Sequence, residues 1–455
     1  MEFDTSILRE ADIRGVYPTQ VSGEFANRLG KVYGTYVLKQ GFKYIVVGHD
    51  NRIGGPHLTK ELIQGLLSTG INVIYIGLAT TPMLNYASHK LGIQYGIEVT
   101  ASHNPKNDNG FKLFGENYLH CSHEVLAIIY AALSNEKYRI SKGDGTLEHI
   151  DVLSSYAKYV ANKFKDIKPL RVVVDCGNGT GSTTIRQIYE RIPGEVIYIN
   201  STNDPRFPNH HPDPNVKSNL VQLSEAVLAN KADLGLAYDG DADRVGFVDE
   251  KGEVVDSDVM MALMSREILK NSNKPILVDV KCSRVLLDEI KKLGGEYILE
   301  TPSSARQEDL LFYQKLDFAG GYSNHIFFGD SHPGYDDGIY AGLRFQEMLG
   351  NSKKKLSKLV KSLPEYYNTE EIKISTTDEK KWKIVEEVKK YCEVRKYEFS
   401  TVDGVRVEKE KGWALVRASN TGPNLTLRFE ATSKKGLTMI QKEFMDVLNV
   451  VISKK

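Results

Sequence analysis

One succession of signals occurs three times along the 455 residues. A β-branched apolar run is followed by a helix-length stretch, a second apolar run behind a glycine turn, and a third run that stops at small and polar residues. The first runs are Tyr44-Ile45-Val46-Val47-Gly48, Arg171-Val172-Val173-Val174-Asp175 and Pro275-Ile276-Leu277-Val278-Asp279. The second are Asn72 to Gly77, Glu195 to Ile199 and Glu296 to Leu299, preceded by Thr69-Gly70, Pro193-Gly194 and Gly294-Gly295. The third are Gly96 to Val99, Leu234 to Ala237 and Leu316 to Ala319. Strands alternating with helices in this way predict α/β domains with largely parallel sheets. In such sheets ligands gather beyond the carboxyl ends of strands, so three repeats delivering three polar loops predict one shared cleft.

From about Ile372 the pattern changes to alternating stretches, Val405-Arg406-Val407 and Leu425 to Phe429, with amphipathic helices around Lys381 to Tyr391 and Lys435 to Val451. This predicts a smaller α+β domain. At about 150 residues per domain the length alone suggests roughly three domains. Candidate linkers are Ser141 to Gly145, Val248 to Gly252 and Ser362-Leu363-Pro364, where Gly, Pro or polar residues interrupt the pattern.

Charge and cysteine content narrow the function classes. Fifty-nine basic residues balance 59 acidic ones, which leaves no broad basic surface and argues against nucleic acid or an anionic membrane as partner. An anion must then be held by a local pocket. Four cysteines lie far apart without a Cys-x-x-Cys pair, against both a disulfide framework and a zinc site. The charged start of the chain and the lack of any apolar run near the roughly 20 residues of a membrane span predict a cytoplasmic protein.

Four loops carry candidate chemistry. Thr100-Ala101-Ser102-His103-Asn104-Pro105 places a hydroxyl beside an imidazole at a strand exit, with Asn109-Gly110-Phe111-Lys112 just beyond; it reads as a nucleophile loop or as a polar turn. Asp239-Gly240-Asp241-Ala242-Asp243-Arg244 sets three carboxylates at alternate positions, hard oxygen donors suited to magnesium. An EF-hand register through Glu250 fails because Arg244 stands where that loop needs Gly. Arg417-Ala418-Ser419-Asn420-Thr421-Gly422-Pro423-Asn424, with Arg428 on the next strand, collects phosphate donors, or is a surface β-turn. Gly320-Gly321-Tyr322-Ser323-Asn324-His325 can read sugar hydroxyls or be structural.

In this order the loops resemble those of the α-D-phosphohexomutase superfamily, with Asp12-Ile13-Arg14-Gly15 and Phe207-Pro208-Asn209-His210-His211-Pro212 as further matches. The resemblance spans essentially the whole chain and implies three repeated α/β domains with mixed, largely parallel sheets plus a smaller C-terminal α+β domain around a central cleft. With the linkers above it implies domains at 1–145 (phosphoserine loop), 146–250 (metal loop), 251–368 (sugar loop) and 369–455 (phosphate loop). It implies an enzyme interconverting hexose 1-phosphate and hexose 6-phosphate, of mannose or glucose, through a bound 1,6-bisphosphate. Ser102, beside His103, carries the phosphoryl group, and Ser102, Asp239, Asp241 and Asp243 hold one Mg²⁺ with Arg244 nearby. Arg14 and Lys112 are implied for proton transfer, assisted by His325. Lys281, Ser323, His325, Arg417, Ser419, Asn420, Thr421 and Arg428 are implied to bind substrate. A hexose 1,6-bisphosphate serves as activator, and the chain is expected as a monomer or homodimer.

The sugar loop departs from the superfamily pattern. Relatives carry Gly-Glu-x-Ser-Gly-His; here Gly321 replaces the Glu that accepts bonds from two sugar hydroxyls, and Ala305 falls in a segment whose relatives carry a His. A mutase of another phosphosugar such as glucosamine phosphate, or a non-catalytic phosphosugar-binding relative, are the alternatives this leaves.

Overall fold

The structure, a computed structural model, describes residues 4–9, 11–419 and 422–453. It contains two compact units: the chain up to Asp256 with Ser303–Lys315 and Ser323–Ser357, and Ser257–Pro302 with Leu316–Tyr322 and the chain from Lys358. The stretch 251–368 is therefore shared between them.

All three repeats form, with one strand order. In each, the first run is the middle of a parallel trio. Tyr44–His49 lies between Asn72–Leu78 and Gly96–Val99, and Arg171–Asp175 between Glu195–Ile199 and Leu234–Tyr238. Ile276–Asp279 lies between Tyr297–Glu300 and Phe318–Gly320. The middle strands are almost wholly buried, as continuous Val and Ile runs require when both faces of a sheet are covered.

In the first unit each trio is extended by antiparallel strands. Gly96–Val99 pairs with Asp108–Phe114, which pairs with Ile13–Val16. Leu234–Tyr238 pairs with Val245–Asp249, which pairs with Val254–Val255. The segment holding Lys112 is thus a strand and not an extension of the serine loop. Residues 248–252, expected as a linker, make the turn of the second of these hairpins, where the Gly252 amide donates to the Asp249 carbonyl (2.9 Å).

The repeats also share a turn. Asp50, Asp175 and Asp279, each at the end of a middle strand, accept from the backbone amide two residues on: Arg52 (2.9 Å), Gly177 (2.9 Å) and Lys281 (2.6 Å). An aspartate folded back on its own chain stops the strand and starts the loop.

In the second unit the C-terminal sheet is antiparallel, with Gly412–Ala418 between Val405–Lys409 and Asn424–Ala431. One face packs on two helices. Asp378–Arg395 presents Ile384, Val388 and Cys392, and Lys434–Ser453 presents Ile440, Phe444 and Leu448, every fourth residue turning the same side inward.

Candidate functional site

The serine loop is built by a residue outside it. Arg52 is fully buried, and its guanidinium donates to the carbonyls of Ser102 and Asn104 (both 2.6 Å), Pro105 (2.8 Å) and Asp108 (3.1 Å). From the strand side, Thr100 Oγ1 donates to Asp50 (2.6 Å) and accepts from the Ser102 amide (2.9 Å). Drawn together at both ends, the loop puts Ser102 in the left-handed region at φ 50°, a conformation that costs about 1–3 kcal/mol in a non-glycine residue and persists only where its surroundings enforce it. The hydroxyl then donates to Asp239 Oδ2 (2.9 Å) and lies 3.2 Å from His103 Nδ1.

Asp239 belongs to the turn between Leu234–Tyr238 and Val245–Asp249. Gly240 lets this turn approach, since a Cβ there would stand 2.6 Å from the Ser102 carbonyl oxygen. Asp239, Asp241 and Asp243 are buried and offer one oxygen each within 4.8 Å of one another. Glu250 is elsewhere, accepting from the Ser357 amide (3.0 Å), so no EF-hand forms.

Lys112 Nζ donates to Asp241 Oδ2 (2.7 Å) and Asp243 Oδ2, and Thr81 Oγ1 donates to Asp241 Oδ2 (2.6 Å). The Arg244 Nε lies 3.9 Å from both Asp239 and Asp243. Burial, then Asp243 and Asp241, push the Asp239 carboxyl well above its usual range. Burial also opposes the charge on Asp243, but Lys112, His325 and Arg244 outweigh it and hold that carboxyl low. The outer oxygens, Oδ1 of Asp241 and of Asp243, are buried without a hydrogen-bond partner. Three hard donors in a buried site, two of them keeping an oxygen without a hydrogen bond, fit a divalent cation of the magnesium type.

His325 joins this group. Its Nδ1 pairs with the buried Asp336, and His325, Asp336 and Asp243 share one neighbourhood. Burial, then Arg244, hold the His325 imidazole well below its ordinary value, and burial followed by Arg244 and Arg14 does the same for His103. Arg14 bonds Asp12 (2.7 Å) and Asn104 Oδ1 (2.8 Å), bracing the serine loop. The first unit thus brings together Arg14, Ser102, His103, Lys112, Asp239, Asp241, Asp243, Arg244 and His325. Ser323, half-buried two residues before His325, belongs to the same unit.

The remaining predicted ligands are in the second unit. Lys281 Nζ pairs with Glu371 (3.0 Å), and Arg417 Nε donates to Asp403 (2.7 Å). Ser419 is buried, while Asn420 and Thr421 lie outside the described residues. Arg428, expected to bind phosphate, is fully buried; its guanidinium lies 3.6 Å from the Tyr322 ring centre and donates to the Lys281 carbonyl. From there it supports the loops that carry Lys281 and Tyr322. Gly321 is sterically required, because a Cβ at this position would collide with the Asp279 carboxylate, whose Oδ2 accepts from the Tyr322 amide (2.8 Å).

Arg52, Asp50, Thr81 and Asp336 were not singled out by sequence reasoning. Asp50 had a signal, since it ends the middle strand of a repeat where Asp175 and Asp279 also stand. Thr81 and Asp336 had none, since their roles depend on contacts across 160 and 11 residues of chain.

Among the described residues no helix is long and apolar enough to cross a membrane. A serine hydroxyl bonded to one carboxylate of a cation-binding triad, on repeated α/β sheets, defines a class of phosphoryl-transfer proteins. Comparison makes the class specific. Phosphoglucomutase/phosphomannomutase alpha/beta/alpha domains I, II and III match residues 5–139, 151–252 and 256–367, and the C-terminal domain of the same family matches 371–447. A phosphomannomutase/phosphoglucomutase of Pseudomonas aeruginosa is 37% identical over 98% of this chain and 96% of its own. A phosphoglucomutase of Neisseria gonorrhoeae is 33% identical over 97% and 96%. The crystal structure of a phosphoglucomutase/phosphomannomutase family protein from Burkholderia thailandensis superposes with a TM-score of 0.92 at 32% identity, covering 99% of this chain and 98% of that one. The chain belongs to the phosphoglucomutase/phosphomannomutase family.

Proposed function

We propose that the chain is a phosphosugar mutase that exchanges the phosphate of a hexose between positions 1 and 6. The observation carrying this is the Ser102 hydroxyl bonded to Asp239 inside a carboxylate triad whose outer oxygens are unpartnered. Asp239, Asp241 and Asp243, with the Ser102 oxygen, would hold one Mg²⁺, which when bound neutralises negative charge on a phosphoryl group.

The chain's own groups divide the remaining work. Ser102 Oγ carries the phosphoryl group; it passes to the free hydroxyl of the bound monophosphate, and the 1,6-bisphosphate so formed returns its other phosphate to Ser102. His325 is kept neutral by burial and by Arg244, and oriented by Asp336, so it suits removal of the proton from the attacking hydroxyl. Lys112 stays protonated because Asp241 and Asp243 outweigh its burial, and with Arg14 and Arg244 it faces the transferring group as fixed positive charge. Arg417 and Ser419, with Asn420 and Thr421, grip the phosphate that does not react, alongside Lys281.

A second reading concerns the sugar. With Gly321 in place of an acidic side chain, Ser323 and His325 are the retained hydroxyl readers, which suits a sugar other than an ordinary gluco- or mannopyranose. Phosphorus NMR with Mg²⁺, a trace of hexose 1,6-bisphosphate and, separately, mannose, glucose and glucosamine 1-phosphates tests both readings. Appearance of a 6-phosphate that is lost in Ser102→Ala supports the mutase and ranks the sugars. Turnover that persists in Ser102→Ala overturns the assignment, and binding without turnover or Ser102 phosphorylation favours a non-catalytic relative.

A further inference from the structure

Phe207 is buried with its backbone in the left-handed region, at φ 46°, a costly conformation for a bulky residue and more so before a proline. Strain of this kind persists only where surrounding bonds enforce it. The Phe207 amide donates to the Asp204 carbonyl (3.0 Å). Just beyond, Asn209 Nδ2 donates to Asn178 Oδ1 (2.8 Å), and His210 Nε2 pairs with Asp175 Oδ2 (3.0 Å). The segment is thus pinned to the turn that ends the middle strand of the second repeat.

The ring so placed meets Arg52, whose Cζ stands over it 5.3 Å from the ring centre. Arg52 gathers the serine loop, and its donors are committed. Four N–H groups reach the carbonyls of Ser102, Asn104, Pro105 and Asp108, and Nε lies 3.3 Å from Asp50 Oδ2. A polar neighbour or a water would compete for those donors. An aromatic ring attracts the guanidinium without taking any of its hydrogen bonds, and keeps water away from it. Asn178, which holds Asn209, also holds the turn that carries the arginine: Asn51 Nδ2 donates to the Asn178 carbonyl (2.7 Å), and the Asn51 amide donates to Thr180 Oγ1 (2.9 Å). One short network therefore fixes ring and guanidinium against each other.

We propose that Phe207 is a positioning residue for the serine: it seats the Arg52 guanidinium and, through the four carbonyls that Arg52 gathers, holds Ser102 in its left-handed conformation beside Asp239. Acting through Arg52, it sets the rate of phosphoryl transfer and leaves substrate affinity unchanged. This rests on the assignment of Ser102 as the phosphoryl carrier.

The test compares Phe207→Leu and Phe207→Tyr in the full-length protein. It measures kcat and KM on the best hexose 1-phosphate with Mg²⁺ and a trace of hexose 1,6-bisphosphate, backbone hydrogen exchange over residues 100–110, and melting temperature. Phe207→Leu is expected to lower kcat by about tenfold, the size of one partly desolvated cation–π contact, with KM unchanged. It is also expected to speed exchange over residues 100–110. Phe207→Tyr keeps the ring and is expected to stay near wild type in both. A lower melting temperature with wild-type kcat and exchange makes Phe207 an ordinary packing residue and overturns the inference. Equal losses in the Leu and Tyr variants, or a raised KM with unchanged kcat, overturn it too. If Ser102→Ala turns over like wild type, the carrier assignment fails separately, and exchange over residues 100–110 alone decides whether Phe207 seats the loop. If Phe207→Leu does not fold, Phe207→Met, which fills the space with a flexible chain and no ring, takes its place with the same supporting and overturning results.

Discussion

Gly321 shows how one side chain is constrained from outside its own loop. The Asp279 carboxylate fills the space a Cβ would need and uses one oxygen on the Tyr322 amide and the other on the Lys281 amide. Asp279 is fully buried, and burial raises its pKa against the pull of Lys281. A second carboxylate cannot simply be returned to position 321. Gly321→Glu is expected to destabilise the fold by more than about 2 kcal/mol, through overpacking and a buried like charge, and not to improve kcat/KM for glucose or mannose 1-phosphate. Thermal melts and steady-state kinetics check this; a stable variant with improved kcat/KM would show that the loop can reopen around Asp279.

At the scale of elements, the serine loop depends on a distant arginine more than on its own sequence. Its hydroxyl, imidazole and Pro are the residues of an ordinary turn, yet the carbonyls that give it shape are gathered by Arg52, which is also paired with the buried Asp50 (3.3 Å). Arg52→Met should cost about 3 kcal/mol or more, because it leaves Asp50 buried without its cation and several carbonyls without a donor. It should also lower kcat by releasing Ser102 from its left-handed conformation. A variant with wild-type melting temperature and phosphorylation rate would refute the dependence. The same view explains why the Asp-capped turn recurs: each repeat must stop a buried strand and open a loop at one place, and one aspartate does both.

For the whole molecule, charge burial sets the response to solution conditions. Lys112 and Arg244 offset only part of the charge of the Asp239, Asp241 and Asp243 triad and leave Oδ1 of Asp241 and of Asp243 without a hydrogen bond, so Mg²⁺ should raise the melting temperature and EDTA should abolish turnover without unfolding the chain. Saturation at about 100 times Kd corresponds to about 2.7 kcal/mol. Absence of any Mg²⁺-dependent shift in the melt would count against the triad as a metal site. Acid acts through a half-buried imidazole. Burial, then His332, hold His89 at about 4 against an ordinary 6.5. As pH falls from 6.5 toward 4 the unfolded chain therefore takes up a proton that the folded chain refuses, and stability drops. Asp309, pushed up to about 6 by burial and Glu308, acts oppositely; it stabilises at low pH and loses that contribution as pH rises from 3.8 to 6. Melts at pH 4 and pH 7 should show a flatter acid dependence in His89→Gln and a steeper one in Asp309→Asn, and unchanged slopes would refute both assignments.

The repeated α/β plan was legible because it rests on local signals: β-branched runs for strands buried on both faces, glycine turns before the second strand, and polar residues at the third strand's end. The runs at Arg171–Asp175, Glu195–Ile199 and Gly96–Val99 form with the predicted limits. The contiguous motifs around Ser102 and Asp239 were legible for the same reason, since each packs its donors into six residues of chain. The antiparallel strands Ile13–Val16 and Asp108–Phe114 were not read as strands, because an edge pairing declares itself only through its partner. Tertiary structure alone decided that Ser102 meets Asp239 across 137 residues, that Arg52 shapes the serine loop, and that Asp279 closes position 321 to any side chain. Such contacts depend on which loop ends the topology carries to one place, and hydrogen bonds and collisions between distant residues leave no periodicity or composition by which a sequence can announce them.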